Sequence, residues 1–362
     1  MFDDTHSVDT ESGATTIPAR PVTSGLIRSI VHRLGVDRPN LPVEGRLASL
    51  AGATSWLNTE PLTVEGLRGH VVLVDFWTYT CVNWLRTLPY VRAWADKYRA
   101  NGLIVIGVHT PEFGFERDLD NVVAQSRALG VQYPIAVDSD FGVWLAFGNH
   151  FWPAVYLADT EGRIRFHHFG EGEYAMTEMA IQQLLLDAGV HDIDQDPVIV
   201  EPRGLEVAAE WRTLQSPETY LGHRQSTGFA SRHAARFDVP HVYAAASRLR
   251  LNHWDLAGNW TVAGHAAVLN EPGGRLAFQF HARDLNLVLG PTVRGSAIPF
   301  RIYLDGGEVR EANGSDVEPD GRGSAIDQRT YQLIRQSLPI IERRFEIEFL
   351  EAGVEAYCFT FG

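Results

Sequence analysis

Val71-Val72-Leu73-Val74-Asp75-Phe76-Trp77-Thr78-Tyr79-Thr80-Cys81-Val82-Asn83-Trp84 is the stretch on which the reading of this chain turns. Its first six residues are almost continuously apolar, the pattern of a central strand buried on both faces. From 82 to 100, Leu85, Leu88, Ala95 and Tyr98 fall on one helical face, and Pro89 is expected to kink that helix. Cys81 therefore stands where a strand hands over to a helix. Unpaired N–H groups and partial positive charge at a helix N-terminus stabilise a thiolate, and they can bring a cysteine pKa from about 8.5 into the range of about 3.5 to 7.5. A nucleophilic thiol is one expectation for Cys81; a small buried hydrophobe, common for free cysteine, is the other.

Outward from this junction, strands and helices alternate from Trp56 onward, which predicts an α/β layer with helices over a sheet. Further strands are expected at 103–108 and 135–137, with a helix at 116–129 and a helical turn or two at 141–147. Strands at 154–157 and 163–167 bracket the hairpin turn Asp159-Thr160-Glu161-Gly162. A closing helix carries Ile181, Leu184, Leu185 and Ala188 on its apolar face and ends at Gly189. Pro197, Pro202 and Pro217 mark a linker, and beyond it the helical period disappears. Short strands at 260–262, 266–269, 275–280, 285–289, 300–304, 345–349 and 357–361, separated by Gly, Pro and Asp turns, predict a β-sandwich. The expected organisation is a flexible arm at 1–45, with one short amphipathic helix at 24–34, an α/β domain at 46–190, a linker at 191–217 and a sandwich at 218–362.

A chain of 362 residues, 45% hydrophobic and 10% aromatic, can bury a core in each of two domains. Its 45 acidic against 31 basic residues give a net charge of -14, which disfavours nucleic acid and anionic membrane as partners. Cys81 and Cys358 are too few and too far apart in sequence for a disulfide scaffold, which suits a reducing compartment. The acidic, polar start Met1-Phe2-Asp3-Asp4-Thr5 lacks the form of a signal peptide, and no apolar run approaches the length of a membrane span. A cytoplasmic location is expected.

The stretch 62–188, opening Leu62-Thr63-Val64-Glu65-Gly66-Leu67-Arg68-Gly69-His70, resembles the thioredoxin-like redoxins of the TlpA class. Within that class, Arg86-Thr87-Leu88-Pro89-Tyr90-Val91-Arg92-Ala93-Trp94, Gly107-Val108-His109-Thr110-Pro111-Glu112-Phe113 and His167-His168-Phe169-Gly170-Glu171-Gly172 resemble the soluble part of the DipZ family. Leu251-Asn252-His253-Trp254, Tyr331-Gln332-Leu333-Ile334-Arg335-Gln336 and the stretch 345–362 are similar to that family's second domain, a β-sandwich of the jelly-roll kind, like a carbohydrate-binding module. The resemblance covers about residues 50–362.

The resemblance implies that Cys81 is the nucleophile of a thioredoxin fold, and that Trp84 replaces the second cysteine of a Cys-x-x-Cys pair. Asp75 falls in the place of the buried carboxylate implicated in proton transfer to that second cysteine. Pro153, in Trp152-Pro153, matches the cis-proline loop that faces the nucleophile and binds substrate backbone. DipZ proteins carry a membrane-embedded electron-transfer domain ahead of these soluble domains; none is read here, so the usual source of reducing equivalents is expected to be absent.

A mixed disulfide at Cys81 is normally released by attack from the partner three residues on, and an indole cannot attack. The expected cycle is therefore monothiol, with an external thiol or a redox protein as resolver. Cys358 could resolve only if the sandwich packs its last strand against the redoxin face; alternating with Tyr357 and Phe359, it reads as structural. Thr78-x-x-Cys81 also resembles the Thr-x-x-Cys of peroxiredoxins, with Val74 where their proline is expected, so one-cysteine peroxide reduction, an antioxidant activity, stands beside thiol-disulfide exchange.

The expected site comprises Cys81 with Asp75, Glu112 and His109 as catalytic modulators, and Thr78, Thr80, Trp84, Trp152 and Pro153 around the substrate. His109, His150, His167 and His168 lie on stretches that converge on the Cys81 edge, but none shows helical ligand spacing, and no metal or cofactor is expected. Asp316-x-Glu318-x-Asp320-Gly321 reads as an acidic turn rather than a calcium loop. Trp254 and Trp260 are candidates for a sugar-stacking platform or for core. Two other classes stay open: a non-catalytic scaffold whose sandwich grips a protein or glycan, and a specialised enzyme using Cys81 as covalent catalyst or metal ligand.

Overall fold

Two short strands, β1 (Gly45–Arg46) and β2 (Ser55–Leu57), precede β3 (Val71–Trp77), in which every residue is buried. This is the computed structural model of the protein, and it describes residues 41–231 and 235–362. The helix expected at 24–34, and nearly all of the arm, lie outside the described residues.

After β3 come α1 (Val82–Tyr98), β4 (Leu103–His109), α2 (Leu119–Ala128), β5 (Ile135–Val137), α3 (Gly142–Phe147), β6 (Ala154–Ala158), β7 (Arg163–Phe169) and α4 (Tyr174–Asp187). The sheet order is β1-β7-β6-β3-β4-β5-β2, with β3, β4 and β5 parallel and β6 and β7 antiparallel to their neighbours. Side chains along a strand alternate between faces. Val71 and Leu73 accordingly pack with Leu85, Leu88, Ile181 and Leu184 of α1 and α4, while Val72, Val74 and Phe76 pack with Ile106 and Trp144 on the other side. The apolar run of β3 needs both layers, which is why it has no polar face.

The helix expected at 116–129 begins later, at Leu119. Asp118 stops the preceding turn and caps the helix, its carboxylate accepting from the Asp120 N–H at 2.9 Å. Pro89 lies inside α1, which continues through it to Tyr98. The proline-marked segment after α4 runs along the redoxin domain, with Glu206 paired to Arg92 and the Glu178 carboxylate accepting the Val198 N–H at 2.9 Å.

The second half contains β8 (Thr219–Tyr220), β9 (His241–Tyr243), β10 (Trp254–Val262), β11 (Ala267–Leu269), β12 (Arg275–Phe280) and β13 (Asp284–Pro291). It continues with β14 (Ile298–Leu304), β15 (Arg322–Ala325), β16 (Arg329–Arg335), β17 (Arg343–Phe349) and β18 (Val354–Phe361). One antiparallel sheet runs β16-β13-β18-β11-β10 and the other β15-β14-β17-β12-β10. They share β10, whose first half pairs with β12 and whose second half pairs with β11. The strand turns between sheets at Gly258, where φ is +97° and an added Cβ would meet the Gly274 Cα at 3.1 Å. The thioredoxin-like α/β domain is thus followed by a β-sandwich.

Leu276, Phe278, Phe300, Ile347 and Phe359 pack between the two sheets. Trp254 and Trp260 belong to this core, both fully buried, with their indole N–H groups donating to the carbonyls of Thr227 and Ala257. The idea of a sugar-stacking platform at these two rings is corrected: neither presents a face to solvent. The acidic turn is closed by its own chain, Asp316 accepting from Arg329 at 2.7 Å and from the Gln332 N–H at 2.8 Å.

Candidate functional site

Cys81 caps α1, its carbonyl accepting the first helical bond from the Leu85 N–H at 2.9 Å. The backbone N–H groups of Trp84 and Asn83, in the first turn, favour its thiolate. On its other side the thiol faces the Trp152 carbonyl, 3.8 Å from Sγ, and the Trp152–Pro153 bond is cis. The strand-to-helix turn and the proline loop therefore converge on one sulfur. The expectation of an acidified thiol, drawn from the helix terminus alone, is corrected by the surroundings. Burial pushes the Cys81 thiol well up and the Glu112 carboxylate adds to this, outweighing the two helix amides.

Trp84 points inward from the same first turn. Its Nε1–H donates to Asp75 Oδ2 at 2.9 Å, and its ring stacks on Trp77 with centroids 4.3 Å apart. Asp75 is wholly buried; desolvation pushes its carboxyl up to about 7, against the pull of the indole. Its Oδ1 finds no partner. His109 is enclosed between Tyr79, stacked at 5.5 Å, and Trp77, edge-on at 4.8 Å. Burial pushes its imidazole down to about 3, so it is neutral at physiological pH and closed off from solvent. His167 is engaged by Glu44 at 2.7 Å, and His150 is exposed beside Phe151. Among the described residues no group of His, Cys, Asp or Glu side chains could hold a metal ion.

Thr80 and Thr78 are buried beside Glu116, a carboxylate the sequence reading did not single out. Glu116 accepts from Thr80 Oγ1 at 2.6 Å, from the Thr80 N–H at 3.3 Å, and from the N–H groups of Glu112 and Phe113 at 2.7 and 2.9 Å. It ties the Cys81 turn to the loop after β4 and so sets where Glu112 stands. Burial and the nearby carboxylates of Glu218 and Glu116 push the Glu112 carboxyl up. Trp152 packs on Trp144 with ring centroids 4.3 Å apart, which fixes the residue before the cis-proline.

The sandwich covers this edge. Thr330 Oγ1 donates to the Thr80 carbonyl at 2.7 Å, and the Tyr220 hydroxyl donates to the Glu112 carboxylate. Phe113 and Phe115 pack on Tyr357 at ring distances of 5.3 and 4.8 Å. Arg86, buried in α1, pairs with Glu171 at 2.9 Å and reaches the Phe361 carbonyl at 3.0 Å. Periodicity alone does not reveal Tyr220, Thr330 or Arg86 as neighbours of the site, because their partners lie more than 80 residues away. Glu116 had a local signal: a carboxylate three residues after Phe113, in capping position for the turn at Gly114–Arg117.

Residues 216–362 match the family model described as "Thioredoxin like C-terminal domain". The chain is 38% identical over 259 residues to the protein DipZ of Mycobacterium bovis, an alignment that covers 68% of this chain and 35% of that protein. The DipZ of Mycobacterium tuberculosis gives the same figures. The thiol-disulfide oxidoreductase YkuV of Bacillus subtilis is 31% identical over 142 residues, which are 39% of this chain and 95% of YkuV. Among solved structures, the solution structure of a thioredoxin-like protein in the oxidized form is 30% identical, with a TM-score of 0.38, covering 41% of this chain and 99% of that one. The chain thus spans about a third of the length of the DipZ proteins it matches and nearly the whole of YkuV.

Proposed function

The chain belongs to the thioredoxin-like redoxin family, of the DipZ and TlpA type, and from that premise we propose that it carries out thiol-disulfide exchange with Cys81 as its nucleophile and no second cysteine on the same helix. In this reading the Cys81 thiolate attacks a disulfide substrate, one substrate sulfur bonds to Sγ, and the other leaves as a thiolate that takes up a proton. A second thiol then attacks the mixed disulfide and returns Cys81 to the reduced state.

The observation that carries the reading is the position of Cys81 at the N-cap of α1 with the cis Trp152–Pro153 loop facing its Sγ. This is a setting in which an extended substrate backbone can align with the loop while its sulfur meets the thiol. Trp84 supports the single-thiol form, because the side chain three residues after Cys81 is committed to Asp75 and Trp77. Burial first, then the Glu112 carboxylate of the redox unit, 46–190, and to a smaller extent Glu218 of the sandwich, 218–362, act against a thiolate at Cys81, which makes the free protein slow to react and gives the covering sandwich a restraining role. In the DipZ comparison Trp84 then stands for the second redox cysteine, and the sandwich takes the place of a domain like a carbohydrate-binding module.

The test is adduct formation with oxidised glutathione, followed by intact mass in the full chain. Loss of the free Cys81 thiol, as a glutathione adduct or as a disulfide within the chain that involves Cys81, absent from Cys81→Ser and faster as pH rises above neutrality, is the expected result. A Cys81 thiol that stays free in the presence of oxidised glutathione at any pH up to 10, or one oxidised by hydrogen peroxide in preference to disulfides, overturns the reading.

A further inference from the structure

The last strand of the sandwich brings the chain's other cysteine to the same interface. In β18, Cys358 pairs with Val288 and Ala356 with Leu289, so the register shifts by one residue and Tyr357 is left as the extra residue of a bulge. A strict alternation would send Tyr357 and Cys358 to opposite faces. The bulge lets both join one apolar cluster with Phe113, Phe115 and Tyr220, outside the core in which Phe359 packs.

Registry across the sheet fixes where Cys358 sits in that interface. Val288 pairs with Thr330 on one side and with Cys358 on the other, and Cys358 pairs with Tyr220. Thr330, Val288, Cys358 and Tyr220 therefore form one row across four strands, spaced about 4.8 Å apart. Both ends of the row are fastened to the redoxin site: Thr330 to the carbonyl of Thr80, the residue before Cys81, and Tyr220 to Glu112. Cys358 stands between these two anchors. Its thiol, buried and weakly bonded to the Phe359 carbonyl at 3.4 Å, is acted on by the same Glu112 and Glu218 carboxylates as Cys81, and by Cys81 itself.

Resting on the reading of Cys81 as nucleophile, we infer that Cys358 is its resolving thiol, so that the redox pair missing from α1 is completed across the domain interface. The Cys358 thiolate attacks Sγ of Cys81 in the mixed disulfide, the Cys81–Cys358 bond forms, and the second half of the substrate leaves as a thiol. Each turnover oxidises both protein thiols and reduces one substrate disulfide to two thiols; an external dithiol then restores the pair. A cysteine fits the row where valine or alanine would satisfy the apolar cluster equally, and this is the chemistry that distinguishes it.

The experiment exposes the full chain to excess 5,5'-dithiobis(2-nitrobenzoate) and counts released thionitrobenzoate, then maps disulfides in a non-reducing digest. The expected wild-type result is about two equivalents released per chain and a Cys81–Cys358 peptide. Cys358→Ala, which keeps the cluster apolar, and Cys358→Ser should each release about one equivalent and keep a stable adduct on Cys81. Adducts retained on Cys81 of the wild-type chain, with no cross-linked peptide, overturn this inference and leave the proposed function standing. No adduct on Cys81 in any of the three proteins overturns both. Wild-type mapping needs no substitution, so a poorly folded variant cannot decide the outcome.

Discussion

Trp84 donates its indole N–H to Asp75 at 2.9 Å, so the buried carboxylate behind the Cys81 turn is engaged by the residue that stands where a second thiol is expected. The bond is possible because the first turn of α1 directs Trp84 inward under Cys81, onto the end of β3 that carries Asp75 and Trp77.

Replacing that ring tests what the rest of the turn can still do. Trp84→Cys removes a fully buried side chain and is expected to cost about 3 to 5 kcal/mol of stability through the cavity left behind. It also supplies a thiol beside Asp75, and insulin-reduction assays with dithiothreitol should show turnover well above that of the wild type. Unchanged turnover in a folded variant would mean that Cys81 and the proline loop do not form a competent redox site.

Asp75 gives a pH signature. Its carboxyl titrates near 7 in the folded chain and near 3.9 when unfolded, so between those values the unfolded chain has released a proton that the folded chain still holds. Stability contributed by this site therefore falls as pH rises from about 4 to about 7. Asp75→Asn keeps an acceptor for Trp84 and removes the titration. Its denaturation midpoint should gain on the wild type steadily across that interval and hold a constant lead above it. A pH-independent difference would show that Asp75 is not the titrating group.

The docked sandwich should control access to Cys81. Tyr220→Phe and Thr330→Val each remove one interdomain hydrogen bond, worth about 1 kcal/mol, without emptying space. Together they are expected to speed iodoacetamide labelling of Cys81 on the order of tenfold, read by mass spectrometry, with the far-ultraviolet circular dichroism unchanged. Equal labelling rates would remove the sandwich from the role of cover.

Arg86 is the buried tie beneath the same interface. Arg86→Met leaves Glu171 without its cation and the Phe361 carbonyl without its donor, a loss expected to cost about 3 to 5 kcal/mol in thermal unfolding. Adding Glu171→Gln removes the stranded charge and should recover a large part of that loss, which a merely steric effect of methionine would not do.

The central strand before Cys81 was legible because burial on both faces leaves a continuous apolar run, and the proline loop was legible through the resemblance. The environment of the thiol was not. Its helix amides follow from local chain direction and Glu112 was among the expected modulators, but the Glu218 carboxylate, and the sheet laid over the site, come from a segment whose approach no local pattern encodes. His109 shows the same divide: its place at the end of β4 was readable, whereas its enclosure between Tyr79 and Trp77 depends on how the rings fill the space behind the turn. Alternation places Cys358 opposite Phe359, as the structure has it, but does not foresee the bulge that puts Tyr357 on the same face as Cys358.

By itself the sequence determined that a cysteine sits at a strand-to-helix junction with a tryptophan three residues on, since these are matters of chain order and local backbone preference; that a proline loop faces it followed from the resemblance. Tertiary structure decided how that sulfur behaves and what covers it: burial and neighbouring carboxylates hold its proton, and one extra residue in the last strand puts Tyr357 on the same face as Cys358, against Phe113 and Phe115 of the loop after β4. Charge interactions and sheet registry depend on distances between segments far apart in the chain, and only the folded packing sets those.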